Sequence, residues 1–347
     1  MDTPGPDGYE PAVMTLIHPG EPAVETRVLS KSFGLGAKRI EAVRGVDITV
    51  QQGEIFGFLG PNGAGKTTTL RMLTTLIPIE AGQAFVAGVD VARRPREVRR
   101  RIGYVGQLGG ADLAATGRES LILQGELYGA SARQARDRAN ELIERLELSE
   151  FVDRIARTYS GGQRRRLEVA LGIMHRPEVL FLDEPTTGLD PQNRANLWDQ
   201  VRGLRAAGTT IFLTTHYLEE ADALADRLAI IDKGRIVAEG TPGELKRKLA
   251  AATIVIEADL SPDELEALRA EVAVQPMVTA ASLDGRTVRA EATDSAEALL
   301  AIATLLRSRR VPLKSIGLAQ PSLDDVFLHE TGRSLRDAGP VNGDGAR

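Results

Sequence analysis

Nine consecutive residues starting at Gly60 have the composition and spacing of a phosphate-binding loop. They fit the pattern G-x-x-x-x-G-K-[ST], in which the lysine ammonium suits the β- and γ-phosphates and the hydroxyl suits Mg²⁺. Glycines allow backbone N–H groups to turn inward around a phosphate. A glycine-rich turn with a surface lysine is the alternative, and the strand-like run 55–59 before the loop and the helical pattern 67–76 after it argue against that reading. The predicted nucleotide-binding residues are Gly60, Pro61, Asn62, Gly63, Ala64, Gly65, Lys66, Thr67 and Thr68.

Two carboxylates follow a second apolar run, residues 179–182. A continuous apolar run of this length is typical of a buried parallel strand, and ligands of open α/β sheets bind beyond the carboxyl ends of such strands. Asp183 is therefore placed to bind Mg²⁺ directly or through water. Glu184 is placed to orient and polarise an attacking water molecule.

Two further segments carry groups suited to the same chemistry. His216 directly follows the apolar run 209–215, so we expect it at the same edge of the sheet, although a lone histidine is more often structural. Ser160 precedes a helical pattern and suits an N-cap, and the next residues leave N–H groups open to a second anion. This second anion site comprises Ser160, Gly161, Gly162 and Gln163.

Two features remain open from the residues alone. Phe33, upstream of the phosphate-binding loop, either stacks on an adenine base or packs as an ordinary core phenylalanine. Six arginines between positions 93 and 101 form either a solvated helix face or a patch for lipid or phosphate.

The elements that carry these groups predict an α/β fold. Residues 23–30 and 40–50 alternate as antiparallel strands, and residues 228–239 read as a closing hairpin. Residues 116–128 and 131–148 have helical periodicity, with capping-box spacing between Ser131 and Gln134. The expected fold is thus an α/β domain with an antiparallel β subdomain and a helical insertion.

The C-terminal region has a different pattern. The order strand, helix, strand, strand, helix, strand between 253 and 318 is that of a small ferredoxin-like α+β domain, with a turn at Asp284-Gly285 and a last helix from Leu323. We expect a flexible N-terminal extension at 1–22, a first domain at 23–249, an accessory or dimerisation domain at 250–332 and a disordered tail at 333–347.

Composition narrows the function classes. The chain has 347 residues, 42% of them hydrophobic, a formal charge of −5 and no cysteine. These values indicate a globular protein without disulfides or thiolate metal sites and argue against a general nucleic-acid binder. No apolar run approaches the roughly 20 residues that span a bilayer, so any membrane role is expected to come through another chain.

Taken together, residues 23–249 resemble the ATP-binding subunit of an ABC transporter, a P-loop NTPase of the ABC cassette type. Six of the family's motifs occur here in order: the Walker A motif at 60–68, the Q-loop glutamine at Gln107, the signature at 159–163, the Walker B motif at 179–183 followed by Glu184, the D-loop at 188–190 and the H-loop at His216. Tyr159 departs from the commoner leucine of the signature, and Phe33 from the commoner tyrosine. Neither departure removes a polar group that the chemistry requires.

The resemblance implies a head-to-tail homodimer that holds each ATP between the Walker A motif of one copy and the signature of the other. It implies that Glu184 is the catalytic base, that Lys66 and His216 contact the γ-phosphate region, and that Phe33 stacks on adenine. The nucleotide site would also include Asp190. The implied metal is Mg²⁺, bound through Thr67, Gln107 and Asp183, with Gln107 joining it to the groove of a membrane partner.

A narrower resemblance is to ATPases of the daunorubicin-resistance type of ABC exporter, through residues 186–191 and 323–328. It implies a separate integral membrane permease, a hydrophobic drug or metabolite as cargo, and a peripheral location on the cytoplasmic face of the cell membrane. The alternative is a soluble ABC ATPase acting on nucleic acid or ribosomes. Such proteins generally carry two cassettes, a long coiled-coil insertion or zinc cysteines, and this chain has none of these.

Overall fold

The computed structural model describes residues 20–34, 36, 39–107, 109–248, 253–319 and 321–335. Residues 1–19 of the predicted extension and 336–347 of the predicted tail lie outside the described residues. The chain divides into two compact units between Thr241 and Pro242.

The first unit begins with a four-stranded antiparallel sheet. Its spatial order is β2-β1-β4-β5, and its strands are β1 (Val24–Phe33), β2 (Ile40–Val50), β4 (Ala81–Val86) and β5 (Val89–Asp90). Alternate residues of β2, including Val46, Ile48 and Val50, are buried, which is why this half-polar run forms a strand with one covered face. The predicted antiparallel pair is confirmed, with Val24 opposite Val50.

A six-stranded sheet forms the centre of this unit, in the order β10-β9-β3-β8-β7-β6. The five strands from β9 to β6 run parallel, and β10 joins the edge as the antiparallel arm of the predicted hairpin. The bounds are β3 (Ile55–Leu59), β6 (Ile102–Val105), β7 (Val179–Asp183), β8 (Thr210–Thr215), β9 (Arg227–Asp232) and β10 (Arg235–Gly240).

The apolar runs of the central strands are continuous because both faces of the sheet are covered. Phe181 of β7 belongs to one buried cluster and Leu182 to another, as expected when successive side chains point to opposite faces. Every residue of β3, β7 and β8 is buried. The predicted buried parallel strands are confirmed.

Seven α-helices complete the described part of this unit. They are α1 (Lys66–Leu73), α2 (Pro95–Arg101), α3 (Gly117–Leu127), α4 (Ala132–Arg145), α5 (Gly161–Gly172), α6 (Pro191–Ala206) and α7 (Leu218–Leu224). The predicted helical insertion is α3 with α4, and Ser131 and Gln134 form the predicted capping box at the start of α4. The apolar stripe of α4, residues Ala135, Ala139 and Leu142, is fully buried. Helix α1 ends three residues before the predicted end.

The second unit, Pro242–Ser334, has the predicted ferredoxin-like order. Its elements are α8 (Pro242–Lys248), β11 (Thr253–Ala258), α9 (Pro262–Ala273), β12 (Val278–Asp284), β13 (Thr287–Ala292), α10 (Ser295–Ser308), β14 (Leu313–Ala319) and α11 (Leu323–Thr331). The sheet order is β12-β13-β11-β14, and every pair is antiparallel. Ile254, Ile256, Val288 and Ala290 form its core with residues of α9 and α10.

Two boundaries differ from the sequence prediction. Residues 242–248 were expected in the first domain, but they form α8, which packs against α11 and belongs to the second unit, so that unit begins at Pro242 rather than at residue 250. In the hairpin, Asp284 pairs with Thr287, so the two-residue loop is Gly285-Arg286 and Gly285 takes the positive φ of 61°. Among the helices of the described residues, none combines the length and the apolarity needed to cross a bilayer.

Candidate active site

The parallel pairing of the central strands brings the predicted chemical groups to one edge of the sheet. Leu59, before the phosphate-binding loop, pairs with Thr215, before His216. Asp183 pairs with Thr214 on the other side of β8. Since parallel strands end at the same edge, the loop, the two carboxylates and the histidine become neighbours.

The phosphate-binding loop ends in a helix whose first turn is open. Gly65 is the N-cap of α1 with φ 108°, no side chain caps the helix, and no acidic residue lies in its first turn. A Cβ at Gly65 would lie 2.4 Å from the carbonyl oxygen of Ala42, so no larger residue fits here. Open N–H groups and the positive end of the helix dipole fit a phosphate at this position.

The lysine of the loop is buried and faces the carboxylates. Its Nζ donates hydrogen bonds to the carbonyl oxygens of Gly60 at 2.7 Å and Pro61 at 3.0 Å. It also lies 3.3 Å from Oε1 of Glu184. Burial lowers the pKa of Lys66, and the neighbouring carboxylates Glu184 and Asp183 oppose that shift.

Glu184 lies between two nitrogen groups. Its Oε2 is 3.2 Å from Nδ1 of His216, while its other oxygen faces Lys66. Burial alone would raise the pKa of Glu184, but His216 and Lys66 together outweigh it, so the pKa lies below its ordinary value. This carboxylate is therefore ionised at neutral pH and can accept a proton.

The backbone at Glu184 turns sharply out of the strand. Its φ is 47°, in the left-handed region that residues other than glycine seldom adopt. The amide N–H of Glu184 donates to the carbonyl and to Oγ1 of Thr214, both at 3.1 Å, and these bonds hold the turn. Such strain commonly occurs where a fold fixes a functional side chain.

Asp183 is 1% exposed and presents an oxygen beside the loop. Its Oδ1 accepts hydrogen bonds from Oγ1 of Thr67 at 3.1 Å and Oγ1 of Thr214 at 2.7 Å. Two neighbouring ligands of an octahedral Mg²⁺ lie about 3 Å apart, so the oxygens of Thr67 and Asp183 fit adjacent positions around this ion. The described residues contain no group of three or more His, Cys, Asp or Glu side chains that could hold a metal ion, so Mg²⁺ here would need phosphate and water oxygens as well.

The signature segment begins helix α5 as predicted. Ser160 is the N-cap: its Oγ accepts from the backbone N–H of Gln163 at 3.2 Å, and the backbone N–H of Ser160 donates to Oε1 of Gln163 at 3.1 Å. Ser160 and Gly161 are exposed and Gly162 is buried. In the described residues no hydrogen bond or ion pair connects this segment to Lys66, Asp183 or Glu184. One copy of the chain thus has a loop site and a separate helix N-terminus.

Tyr159, which stands where the signature commonly has leucine, anchors the signature to the helical insertion. Its hydroxyl accepts from the N–H of Gly117 at 3.2 Å and lies 3.2 Å from the carbonyl oxygen of Val152. Its ring meets Phe151 edge-on with centroids 4.9 Å apart. A leucine would supply the apolar contact but none of these hydrogen bonds.

Asp190 of the D-loop is the N-cap of α6. It accepts hydrogen bonds from the backbone N–H of Asn193 at 2.9 Å and from Nδ2 of Asn193 at 2.6 Å, and the first of these contributes most to lowering the pKa of Asp190. Asn193 also fills the space beside the signature, where a Cβ at Gly162 would lie 2.3 Å from its Oδ1. The signature is therefore in direct contact with the first turn of α6, which the D-loop residue Asp190 caps.

Two predicted nucleotide ligands lie outside the central cluster. Phe33 is 45% exposed at the end of β1, with Nζ of Lys31 5.7 Å from its ring centre, so the interpretation as a core phenylalanine is wrong. Gln107 is exposed two residues beyond β6 and lines a groove with Arg71 and Tyr104.

Arg165 is a site residue that the sequence analysis missed. Its guanidinium is buried and donates to the carbonyl oxygens of Gly106 at 2.7 Å, Pro185 at 2.8 Å and Asp183 at 3.2 Å. It also forms an ion pair with Glu168 at 3.0 Å. One side chain of the signature helix thus fixes the backbone on either side of Glu184 and just before Gln107. A basic run after a signature gives no hint of this, because the acceptors are carbonyls of distant segments.

Comparisons with known proteins identify the family of the chain. Residues 43–187 match the family model for ABC transporters, and residues 240–331 match the C-terminal domain of DrrA1-3-like ATP-binding proteins. The chain is 46% identical over 318 residues to the daunorubicin resistance ATP-binding protein DrrA2 of Streptomyces coeruleorubidus, covering 89% of this chain and 95% of that one. It is 40% identical to the Nod factor export ATP-binding protein I of Paraburkholderia xenovorans, covering 91% of this chain and 99% of that one.

Solved structures show the same fold for the first unit. An ATP-binding subunit of an ABC transporter aligns with a TM-score of 0.58 at 27% identity, covering 65% of this chain and 92% of that one. A dimeric ATP-binding cassette in a post-hydrolysis state with ADP and phosphate aligns with a TM-score of 0.58 at 24% identity, covering 63% of this chain and 98% of that one. With identity of this extent over nearly the full length of its relatives, the chain belongs to the ATP-binding subunits of ABC transporters, in the group of the daunorubicin-resistance ATP-binding proteins.

Proposed function

We propose that this protein hydrolyses ATP with Glu184 as general base and uses the resulting motion to drive an exporter. The main support for the proposal is the position of Glu184 at the end of a phosphate-binding loop. One of its carboxylate oxygens lies 3.3 Å from Nζ of Lys66, and the other lies 3.2 Å from Nδ1 of His216. An ionised carboxylate beside an open helix N-terminus can orient and deprotonate a water molecule facing a bound γ-phosphate.

Each side chain of this cluster has a distinct role. Lys66 exchanges its carbonyl and carboxylate contacts for phosphate oxygens when ATP binds. This exchange frees Glu184 to face the attacking water, while His216 keeps the carboxylate oriented and can contact the γ-phosphate. Mg²⁺, held by Thr67 and Asp183 and by Gln107 when that loop approaches, would neutralise developing charge on the phosphates. Phe33 would stack on the adenine ring.

The separation of the loop site from the signature supports a head-to-tail homodimer. Ser160 and Gly161 are exposed at a helix N-terminus, and among the described residues no hydrogen bond or ion pair connects this N-terminus to the phosphate-binding loop of the same chain. A second copy in the opposite orientation supplies a phosphate to it, with Asp190 at the same junction. The dimeric cassette with ADP and phosphate is a precedent for the fold.

A groove in the first unit is suited to a membrane partner. It has a volume of about 540 Å³ and is lined by residues that include Arg71, Tyr104, Gln107, Glu168 and His175. Glu168 is the ion-pair partner of Arg165, so a segment that binds here would contact the network holding Asp183. We propose that a separate integral membrane permease inserts a segment here, which makes this subunit peripheral on the cytoplasmic face of the membrane.

The cargo proposal depends on the relatives. Their names describe daunorubicin resistance and Nod factor export, which supports an exporter. For this chain we propose a hydrophobic drug or metabolite as the cargo. The second unit, Pro242–Ser334, would support the dimer. No observation favours action on nucleic acid or ribosomes.

The test is affinity purification of the full chain from detergent-solubilised membranes, with identification of the proteins that co-purify. We expect a polytopic membrane protein whose presence changes the ATPase rate. Recovery of ribosomes or nucleic acid in its place would overturn the exporter proposal while leaving the ATPase assignment intact.

A further inference from the structure

Helix α2 and the two residues before it present a concentrated positive surface. Arg93, Arg94, Arg96, Arg99 and Arg100 are all exposed, and the side chain of Arg93 is 83% exposed. We call these five residues the arginine surface. The sixth arginine of the run, Arg101, points inward and binds Glu97, Glu178 and the carbonyl oxygen of Ala87.

Nearby acids do not neutralise this surface. Arg93 lies 3.6 Å from Asp90, and Arg94 lies 3.1 Å from Glu97. These are exposed ion pairs, which contribute little and exchange readily for other anions. Among the described residues, Arg96 and Arg100 have no acidic partner within ion-pair distance. The arginine surface therefore keeps an excess of positive charge on a chain whose formal charge is −5.

The shape of the arginine surface also suits small anionic groups. Arg93, Arg94, Arg96 and Arg100 line a shallow depression of about 610 Å³, with Pro95 and Glu97 between them. Arg96 and Arg100 are four residues apart and so share one face of the helix. Guanidinium groups bind phosphate oxygens in pairs, and several around one depression can hold a phosphate headgroup.

The arginine surface adjoins the groove proposed for the permease. Arg99 lines that groove together with Arg71 and donates to Oγ1 of Thr75, while its neighbour Arg100 lines the depression. One short helix thus has a groove on one side and a cationic depression on the other. A partner embedded in a bilayer and bound in the groove would bring the depression towards the headgroups.

We propose that the arginine surface binds the anionic headgroups of a phospholipid bilayer and helps to hold the ATPase against the membrane. The inference rests on the proposed function for the orientation of the groove. A bilayer fits better than a nucleic acid because α2 has only seven residues and the rest of the chain is acidic. A small cationic patch can bind a few separate lipid headgroups. A polynucleotide would extend beyond the patch, and the net negative charge of the rest of the chain would repel its phosphates.

The experiment measures binding of the full chain, without permease, to sedimentable vesicles. One set contains phosphatidylcholine alone and the other phosphatidylcholine mixed with phosphatidylglycerol. We expect binding to the anionic vesicles only, weakened by high salt. The double variant Arg96→Gln/Arg100→Gln should lower the partition coefficient about 10- to 30-fold, from the typical contribution of each arginine near an anionic surface.

A matched variant separates position from net charge. Arg133 and Arg136 are exposed on α4, so Arg133→Gln/Arg136→Gln removes the same charge elsewhere. This control should change the partition coefficient by less than about 2-fold, and both variants should keep the basal ATPase rate. Equal losses in the two double variants, equal binding to both vesicle types, or selective loss of binding to an RNA homopolymer in the α2 variant would each overturn the proposal.

The assay is independent of the proposed transport function. It needs neither ATP turnover nor a permease. If no permease co-purifies but vesicle binding depends on Arg96 and Arg100, the exporter proposal fails and the lipid surface stands. If a permease co-purifies and the protein does not bind the vesicles, the lipid-binding proposal fails and the exporter proposal stands.

Discussion

Nζ of Lys66 lies 3.3 Å from Oε1 of Glu184, and the two side chains are 4% and 9% exposed. The residue that would hold the phosphates and the residue that would activate water therefore form a buried ion pair. A buried charge left without its partner is costly, so each of the two keeps the other in its ionised form. Binding of a phosphate to Lys66 would therefore release Glu184 from this ion pair.

Replacing the lysine tests the loop. Lys66→Ala removes the cation that faces the phosphates, and we expect ATP turnover to fall by at least ~10²-fold, as for the loss of a major electrostatic group. Steady-state ATPase assays and binding of a fluorescent nucleotide measure the effect. Lys314→Ala, at a 59% exposed side chain of the second unit, is the control and should behave like the wild type. Unchanged turnover in Lys66→Ala would remove the loop from the mechanism.

Replacing the carboxylate separates binding from hydrolysis. Glu184→Gln keeps the size of the side chain but removes the base, so hydrolysis should slow by at least ~10²-fold while ATP still binds. Dimers formed with ATP should then persist in gel filtration. Glu219→Gln, at an 82% exposed side chain, controls for the loss of one charge. A monomer at saturating ATP, with and without the permease, would contradict the head-to-tail dimer.

Arg165 and Glu168 make a stability prediction. Arg165→Met removes the donor to three carbonyl oxygens and the ion-pair partner of the buried Glu168, and we expect a loss of about 3–5 kcal/mol in the free energy of unfolding. The double variant Arg165→Met/Glu168→Leu should recover part of it, because no charge then remains buried alone. Urea unfolding of the two single variants and the double variant measures the coupling. Additive losses would show that the pair does not interact.

His175 predicts a dependence of stability on acid. Its ring stacks on Tyr128 with centroids 3.8 Å apart, and burial lowers its pKa from 6.5 to about 4. Between pH 6.5 and about 4 this histidine is protonated in the unfolded chain and neutral in the folded chain. The free energy of unfolding therefore falls as the pH drops through this range, by up to about 3 kcal/mol. Urea unfolding at pH 7 and pH 5 should show a smaller difference for His175→Gln than for the wild type. His329→Gln, at a 68% exposed side chain, should leave the difference unchanged.

Truncation tests the second unit. A chain ending at Thr241 should dimerise more weakly in the Glu184→Gln background yet bind nucleotide with near-normal affinity, because all nucleotide ligands proposed above precede that point. Analytical ultracentrifugation and nucleotide titration give the two quantities. Loss of nucleotide binding with dimerisation preserved would refute a role of Pro242–Ser334 in dimer support.

The sequence predicted those parts of the site that depend on local pattern. The spacing around Gly65 and the continuous apolar run before Asp183 identify a loop and a buried strand, and parallel pairing then brings them together. The role of Arg165 was not predicted because its hydrogen-bond acceptors are backbone carbonyls, which every residue has. Nothing along the chain indicates which carbonyls a folded guanidinium will meet.

Domain and turn boundaries were less predictable for a similar reason. The predicted first domain ran to residue 249, yet residues 242–248 form helix α8, whose packing partner α11 lies far along the chain. In the hairpin, either Asp284-Gly285 or Gly285-Arg286 suits a two-residue loop, and cross-strand pairing over the whole of β12 and β13 decides between them. The exposure of Phe33 likewise depends on what covers the end of β1, which the local sequence does not record.

The close fit between Gly162 and Asn193 has a mechanical consequence. Asn193 packs against Gly162 and also binds Asp190, so one side chain brings the start of the signature helix into contact with the start of α6, the two segments that would face the partner's ATP. Any side chain at position 162 would clash with Asn193 and push these two segments apart within a single copy, whether or not a second copy is bound.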